Sequence, residues 1–105
     1  MSNNYNANPL SFTSAGASLK NYNGPKYFPV SNNGRFRVKR VVWQGSVTAA
    51  DSFVVTDANG NTLASGTAVT ASLGLPQTTV VDELVTDVQV TQQSSGTVLI
   101  YIEQE

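Results

Sequence analysis

The sequence predicts an all-β protein: a small β-sandwich or jelly-roll-like fold of about seven or eight strands with an extended N-terminal arm. Short runs with apolar residues at alternate positions recur along the chain, and clusters of Gly, Asn, Ser and Pro separate them. No segment has the spacing of an amphipathic helix. The 105 residues suit one domain, which we divide into an arm over residues 1–33 and a β-sandwich body over residues 34–105.

Residues 1–33 are rich in Asn, Ser, Gly and Pro, a composition typical of segments without fixed structure. The same segment carries more than half of the aromatic residues, and a solvated tail gains nothing from so many rings. We expect an arm that docks these rings into grooves of a neighbouring molecule or of its own body. The alternative is a mostly mobile tail with one strand near residues 26–30. The candidate interface rings are Tyr5, Phe12, Tyr22, Tyr27 and Phe28.

The longest strand is predicted over residues 34–45. Apolar Phe36 and Val38 alternate there with cations, so that one face can enter a core while the other carries positive charge. The cations on that second face, which are candidate interface residues, are Arg35, Arg37 and Lys39.

Arg40 breaks this alternation, because it has the same parity as Phe36, whereas Trp43 has the same parity as the cations. A β-bulge near Arg40 would exchange the two faces and bring Trp43 into the core.

The remaining body predicts one hairpin and several short strands. Asn59-Gly60 is a tight-turn signal within a hairpin over residues 52–65. Residues 82–85 fit either one helical turn or a loop that crosses between sheets. The last strand, over residues 97–103, is apolar on both faces, so we expect it to be central or to be covered by a partner. Further short strands are expected over residues 67–73, 77–81 and 86–92.

The charged residues are segregated along the chain. All six bases lie between Lys20 and Arg40, and all seven acids lie between Asp51 and Glu105. Sheet faces that pair within the fold explain this pattern, and so does a basic surface that meets an acidic surface of a neighbouring subunit; both can hold. The cationic strip with its flanking aromatics also fits single-stranded nucleic acid. Because the net charge is −1, we favour a protein contact or an internal ion-paired face and expect no nucleic acid partner.

Enzymatic activity is not expected. The chain has neither histidine nor cysteine, which excludes Ser-His-Asp catalysis, thiolate catalysis, disulfides and the commonest metal ligands. A hydrolase that uses Asp82, Glu83 or Asp87 is the remaining possibility, but solvated acids or a cation contact explain these residues better. We expect no catalytic residue, no metal site and no cofactor.

Two other motifs have ordinary structural explanations. Asp57-Ala-Asn-Gly-Asn begins like a calcium-binding loop, but its Gly is fourth rather than sixth, so we interpret it as the hairpin turn. Trp43 with Tyr22, Tyr27 and Tyr101 would suit a sugar-binding platform, although core and interface packing is the commoner use of such rings.

The polar N-terminus lacks the features of a signal peptide, and no apolar run is long enough to span a membrane. We therefore expect synthesis in a reducing cytosol and no membrane partner. Since a body of about 70 residues is only marginally stable alone, oligomerisation or docking on a larger surface is expected to support it.

Three segments resemble small virion proteins of tailed bacteriophages. They are Arg37-Val-Lys-Arg-Val-Val-Trp-Gln-Gly, then Asp51-Ser-Phe-Val-Val-Thr-Asp-Ala-Asn-Gly-Asn-Thr-Leu, then Val85-Thr-Asp-Val-Gln-Val-Thr-Gln-Gln-Ser-Ser-Gly-Thr-Val-Leu-Ile-Tyr-Ile. The likeness covers about two thirds of the chain and is an order of strands and turns rather than a catalytic signature.

The resemblance implies a β-sandwich with a structural role, a capsid decoration (cement) protein or a related head or tail component. The expected partners are the major capsid protein and neighbouring copies of the chain, with a trimer as one arrangement, on the capsid surface of a virion made in the host cytoplasm. The alternative is a receptor- or glycan-binding module of a head fibre or tail.

Overall fold

Seven runs of alternating side chains form β-strands in the computed structural model, which describes residues 3–27 and 34–104. Those residues contain no α-helix and one short 3-10 turn, Thr70–Ser72. The predicted all-β class is confirmed, and the arrangement is that of a small β-sandwich. The strands are β1 (Leu10–Phe12), β2 (Phe36–Gln44), β3 (Ser52–Asp57), β4 (Thr62–Thr67), β5 (Gln77–Val85), β6 (Val88–Gln93) and β7 (Thr97–Gln104).

The strands form two antiparallel sheets, one in the order β1-β7-β2-β5 and the other in the order β4-β3-β6. The hairpin β3–β4 pairs two sequence neighbours, and each of the remaining connections from β2 onward crosses between the sheets. The inward side chains of both sheets therefore share one core. β7 lies between β1 and β2, which confirms the central position predicted for the strand that is apolar on both faces.

The predicted β-bulge in the long strand is confirmed. The register of β2 shifts between Val38 and Arg40, so Lys39 is an extra residue relative to β7. Beyond the shift, Val41 and Trp43 are buried with Phe36 and Val38. On the other side of β2, strand β5 runs without a break through residues 82–85, so neither the helical turn nor the crossing loop forms there.

The N-terminal segment packs on the chain's own body. β1 pairs with β7, with Leu10 opposite Ile100, and Leu10, Phe12 and Leu19 are fully buried. The Tyr5 ring contacts Phe12 edge-on, with ring centroids 5.0 Å apart. Four side chains of residues 3–27 thus belong to the sandwich core, so the segment docks on its own body, which is one of the two docking modes left open by the sequence. Phe28 and most of the strand expected over residues 26–30 lie outside the described residues.

The same segment continues along β6. The amide of Gly16 donates to the carbonyl of Val90 at 3.2 Å, and that of Leu19 to the carbonyl of Val88 at 2.9 Å. Asp87, expected to face solvent, is only 8% exposed. Its carboxylate accepts the amides of Lys20 and Val88, each at 2.9 Å, and so fastens the N-terminal segment to the start of β6.

The β3–β4 hairpin forms as predicted. Gly60 has φ +83, the left-handed conformation that this turn requires. The Asp57 carboxylate accepts the amides of Asn59 and Asn61 at 2.9 Å, which agrees with the interpretation of this stretch as a turn.

The strand expected over residues 67–73 is wrong. β4 continues through Gly66 to Thr67, and the 3-10 turn follows. Gly66 suits this position because it has no side chain: a Cβ atom here would lie only 2.9 Å from the Phe53 ring.

Candidate binding surface on the outer face of the four-stranded sheet

The four-stranded sheet has one face in the core and one that points away from it. In the register of β2 with its neighbours, Arg40 lies between Tyr101 on β7 and Val80 on β5, and Arg37 lies between Glu103 and Leu84. This outer face combines cations with apolar side chains, and Val80 is its most exposed apolar member at 77%. We define the outer face as Arg37, Lys39, Arg40, Val42, Val80, Leu84, Leu99, Tyr101 and Glu103.

The bulge adds a cation to the outer face. Because Lys39 is the extra residue, Lys39 and Arg40 both point away from the core. The Arg40 guanidinium lies over the Tyr101 ring, with Cζ 4.0 Å from the ring centroid, a cation–π contact of about 0.5–1 kcal/mol at an exposed site. Arg40 was absent from the predicted interface residues because strict alternation places it inward; the bulge itself was the signal that could have found it.

Asp82 on β5 pairs with the two other cations. Its Oδ1 lies 3.4 Å from Arg37 Nη1 and 3.4 Å from Lys39 Nζ. Arg37 Nη1 also donates to the Asp82 carbonyl at 3.1 Å. The internal pairing expected from the charge segregation therefore exists here. Such exposed pairs contribute about 0–1 kcal/mol, so an acidic group of a partner can compete for the same cations.

A shallow groove of about 420 Å³ lies beside the bulge. Asn8 closes one side by bonding to both backbone groups of Ile102, its Nδ2 donating at 2.8 Å and its Oδ1 accepting at 3.1 Å. Tyr27 is 40% exposed, and a backbone hydrogen bond of 2.6 Å from its amide to the Tyr5 carbonyl fixes its position. The groove thus unites two predicted residues, Tyr27 and Lys39, with five that were not predicted as interface residues. This bulge groove is lined by Asn8, Tyr27, Lys39, Arg40, Tyr101, Ile102 and Glu103.

The other predicted interface residues lie elsewhere. Tyr5 and Phe12 belong to the core of their own chain and present no surface to a partner in this structure. The half-buried Tyr22 stacks on Tyr5, with ring centroids 3.8 Å apart and an interplanar angle of 7°. Arg35 is half-buried at the end of the sandwich, in a small pocket beside the β3–β4 turn. Arg37 and Lys39 are on the outer face, as predicted.

A sugar-binding platform that includes Trp43 is wrong. Trp43 is 1% exposed, its Nε1 donates to the Ser95 carbonyl at 2.9 Å, and its ring packs 5.0 Å from that of Phe53. The tryptophan is therefore a core residue. Of the tyrosines proposed with it, Tyr22 has one ring face covered by Tyr5, and Tyr101 has one covered by Arg40.

The candidate acids lie in different surroundings. Asp82, on β5, contacts cations of β2, whereas Asp87 is buried against backbone amides at the start of β6. Within residues 3–27 and 34–104, no three acidic side chains lie close enough together to hold a metal ion. The clearest titration effect lies in the core, where burial raises the pKa of Tyr5 above 10.0; nearby Tyr22 raises it further, and a hydrogen bond with Asn3 opposes the shift.

In the described part of the chain, no helix is long and apolar enough to cross a membrane. Comparisons with protein-family models, with curated proteins and with solved structures found no match. We therefore base the function on the surface just described and on the resemblance in the sequence.

Proposed function

We propose that this chain is a structural, non-enzymatic protein of a tailed-bacteriophage particle, a capsid decoration (cement) protein that binds the major capsid protein and stabilises the shell. The observation that supports this proposal most strongly is the outer face of the four-stranded sheet. Three cations, two tyrosines of the adjoining groove and the exposed Val80 meet there, on a sheet whose opposite face already completes the core.

Such a face suits a protein partner with acidic groups around an apolar patch. The apolar side chains would supply buried area, and the cations would fix the orientation and register of the contact. Arg40 is the cation best placed for this role, because its guanidinium lies over the neutral Tyr101 ring, whereas Arg37 and Lys39 are paired with Asp82. Arg37 and Lys39 would exchange Asp82 for an acid of the shell.

The N-terminal segment would act differently from a detachable arm. Residues 3–27 share the core, and their last residue, Tyr27, lines the bulge groove. The segment thereby presents an aromatic ring beside the cations instead of reaching away from the body. Removing residues 2–28 would consequently unfold the sandwich rather than only abolish binding.

Arg40→Glu tests the proposal. The exposed side chain can be replaced without disturbing the core, and reversing its charge should weaken binding to shells of the source phage assembled without this chain by about tenfold or more, equivalent to about 1.4 kcal/mol. Lys20→Glu is the matched control, since it makes the same charge change at an exposed position away from the outer face. Equal binding of both variants and the unaltered protein would overturn the role of this face.

A further inference from the structure

The two sheets have four edges, and the N-terminal segment covers two of them. Along β1, Asn4 pairs with Ser11 through backbone hydrogen bonds of 2.7 and 3.0 Å. Along β6, Gly16 and Leu19 donate to the strand. The other two edges, β4 and β5, are sequence neighbours that contact each other across the sandwich, so they lie on the same side of the molecule.

β5 is the longer of these two edges and is suited to pairing. Within the described residues, no backbone group hydrogen-bonds to its outer edge. Its first five residues, Gln77–Val81, are uncharged and include two Thr and two Val, which favour strands. Pro76 precedes this stretch, and Asp82, with φ +50, ends it with an irregularity. Natural edge strands are commonly protected by charges within them, and Gln77–Val81 has none.

We propose that β5 pairs antiparallel with β5 of a second copy of this chain, about a twofold axis at Thr79. The pairing joins two four-stranded sheets into one sheet of eight strands. Thr79 then lies opposite Thr79 of the second copy, Thr78 opposite Val80, and Gln77 opposite Val81. This register uses the whole uncharged stretch and leaves Pro76 and Asp82 outside the pairing.

Charge selects both this register and this partner. The two Asp82 residues fall six positions apart along the paired strands, or about 20 Å at 3.4 Å per residue, which exceeds a Debye length of about 8 Å. Moving the axis to Val80 would instead place Asp82 within the pairing, opposite Thr78. A charged foreign strand would find no counter-charge within the paired stretch itself, because residues 58–81 contain no charged side chain. An identical uncharged edge meets no such mismatch.

The pairing also covers Val80, which is 77% exposed in the single chain. Five paired residues a side are fewer than the 20–30 or so of a stable interface. The dimer is therefore weak and depends on concentration, and its twofold symmetry excludes a trimer through this edge. The inference does not rest on the proposed function, because the dimer forms in solution without a phage particle.

A single cysteine at the axis tests the register. The chain has no cysteine, so Thr79→Cys provides one thiol per copy. The register brings the two Cβ atoms to about 4.5–5.5 Å, and mild oxidation should yield a disulfide-linked dimer. Val81→Cys is the matched control on the same edge, because its two copies would lie about 14 Å apart along the strands. Equal cross-linking of both variants, or none with Thr79→Cys, would overturn the register.

Sedimentation velocity at concentrations up to millimolar tests the interface itself. The unaltered protein should dimerise, and Val80→Lys should weaken the dimer by about tenfold or more. Val47→Lys is the control, since Val47 is 71% exposed in a loop outside β5. A protein that stays monomeric, a trimer, or a dimer that Val47→Lys disrupts and Val80→Lys does not would each overturn the proposal.

Discussion

Replacing Phe12 with alanine tests whether the N-terminal segment belongs to the core. Phe12 is 0% exposed on β1, and its ring meets Tyr5 edge-on. Truncating a fully buried phenylalanine costs about 3–5 kcal/mol. A chain of this size has a total free energy of unfolding of about 5–15 kcal/mol. Phe12→Ala should therefore remove about a fifth or more of the stability, although the change lies outside the region in which the sequence predicts the sandwich body.

Urea unfolding followed by Trp43 fluorescence measures this loss, because the single tryptophan is buried and becomes exposed on unfolding. Val47→Ala is the control: its side chain is 71% exposed, so its free energy of unfolding should change by no more than about 0.5 kcal/mol. An arm that docks only on a neighbour would leave Phe12 exposed in the isolated chain. If Phe12→Ala changed the free energy of unfolding by no more than about 0.5 kcal/mol at a concentration where the protein is monomeric, the packing described here would be refuted.

Two further predictions concern groups that the N-terminal segment buries. Asp87→Ala should cost about 1–3 kcal/mol, because the amides of Lys20 and Val88 lose their acceptor; Asp87→Asn, which keeps an acceptor oxygen, should cost less in the same urea titration. Since burial raises the pKa of Tyr5 above 10.0, the unfolded chain loses this proton at lower pH than the folded one, and stability should fall as the pH rises past 10. Tyr5→Phe should be less stable near neutral pH, because the hydrogen bond to the Ala17 carbonyl is lost, but its stability should fall less steeply at alkaline pH; equal slopes would contradict this explanation.

The body of the sandwich could be predicted from local patterns because its signals are local. The change of parity at Arg40 indicated the bulge, Asn59-Gly60 indicated the hairpin, and the doubly apolar strand over residues 97–103 indicated a central position. Each of these features depends on residues only a few positions apart. The order of strands depends instead on contacts between distant segments, which alternation does not encode.

The N-terminal segment was harder to interpret because its composition conceals its packing. Asn, Ser, Gly and Pro dominate it, yet the three-residue β1 and the isolated Leu19 fill the core. A strand this short has too few alternations to be recognised, and its burial depends on pairing with β7, far along the sequence. The burial of Asp87 was missed for a similar reason. Its carboxylate accepts a hydrogen bond from the amide of Lys20, which lies 67 positions away in the sequence.

The candidate surface could be predicted in part. Arg37, Lys39 and Tyr27 were identified from charge and aromatic content, but Arg40 and Tyr101 became visible as a pair only once the bulge fixed the register of β2 with β7. The sequence left the burial of Trp43 ambiguous, because the residues beside a tryptophan in an alternating strand are the same whether its ring is buried or exposed. Its burial and its hydrogen bond to Ser95 resolve that ambiguity.

Quantitative mass spectrometry of purified particles from the source tests the central claim most directly. A decoration protein that covers the shell should be present in amounts comparable to the major capsid protein, and Arg40→Glu should lower that amount. A few copies per particle would instead indicate a fibre, tail or connector component. Absence from the particle would contradict the structural role altogether.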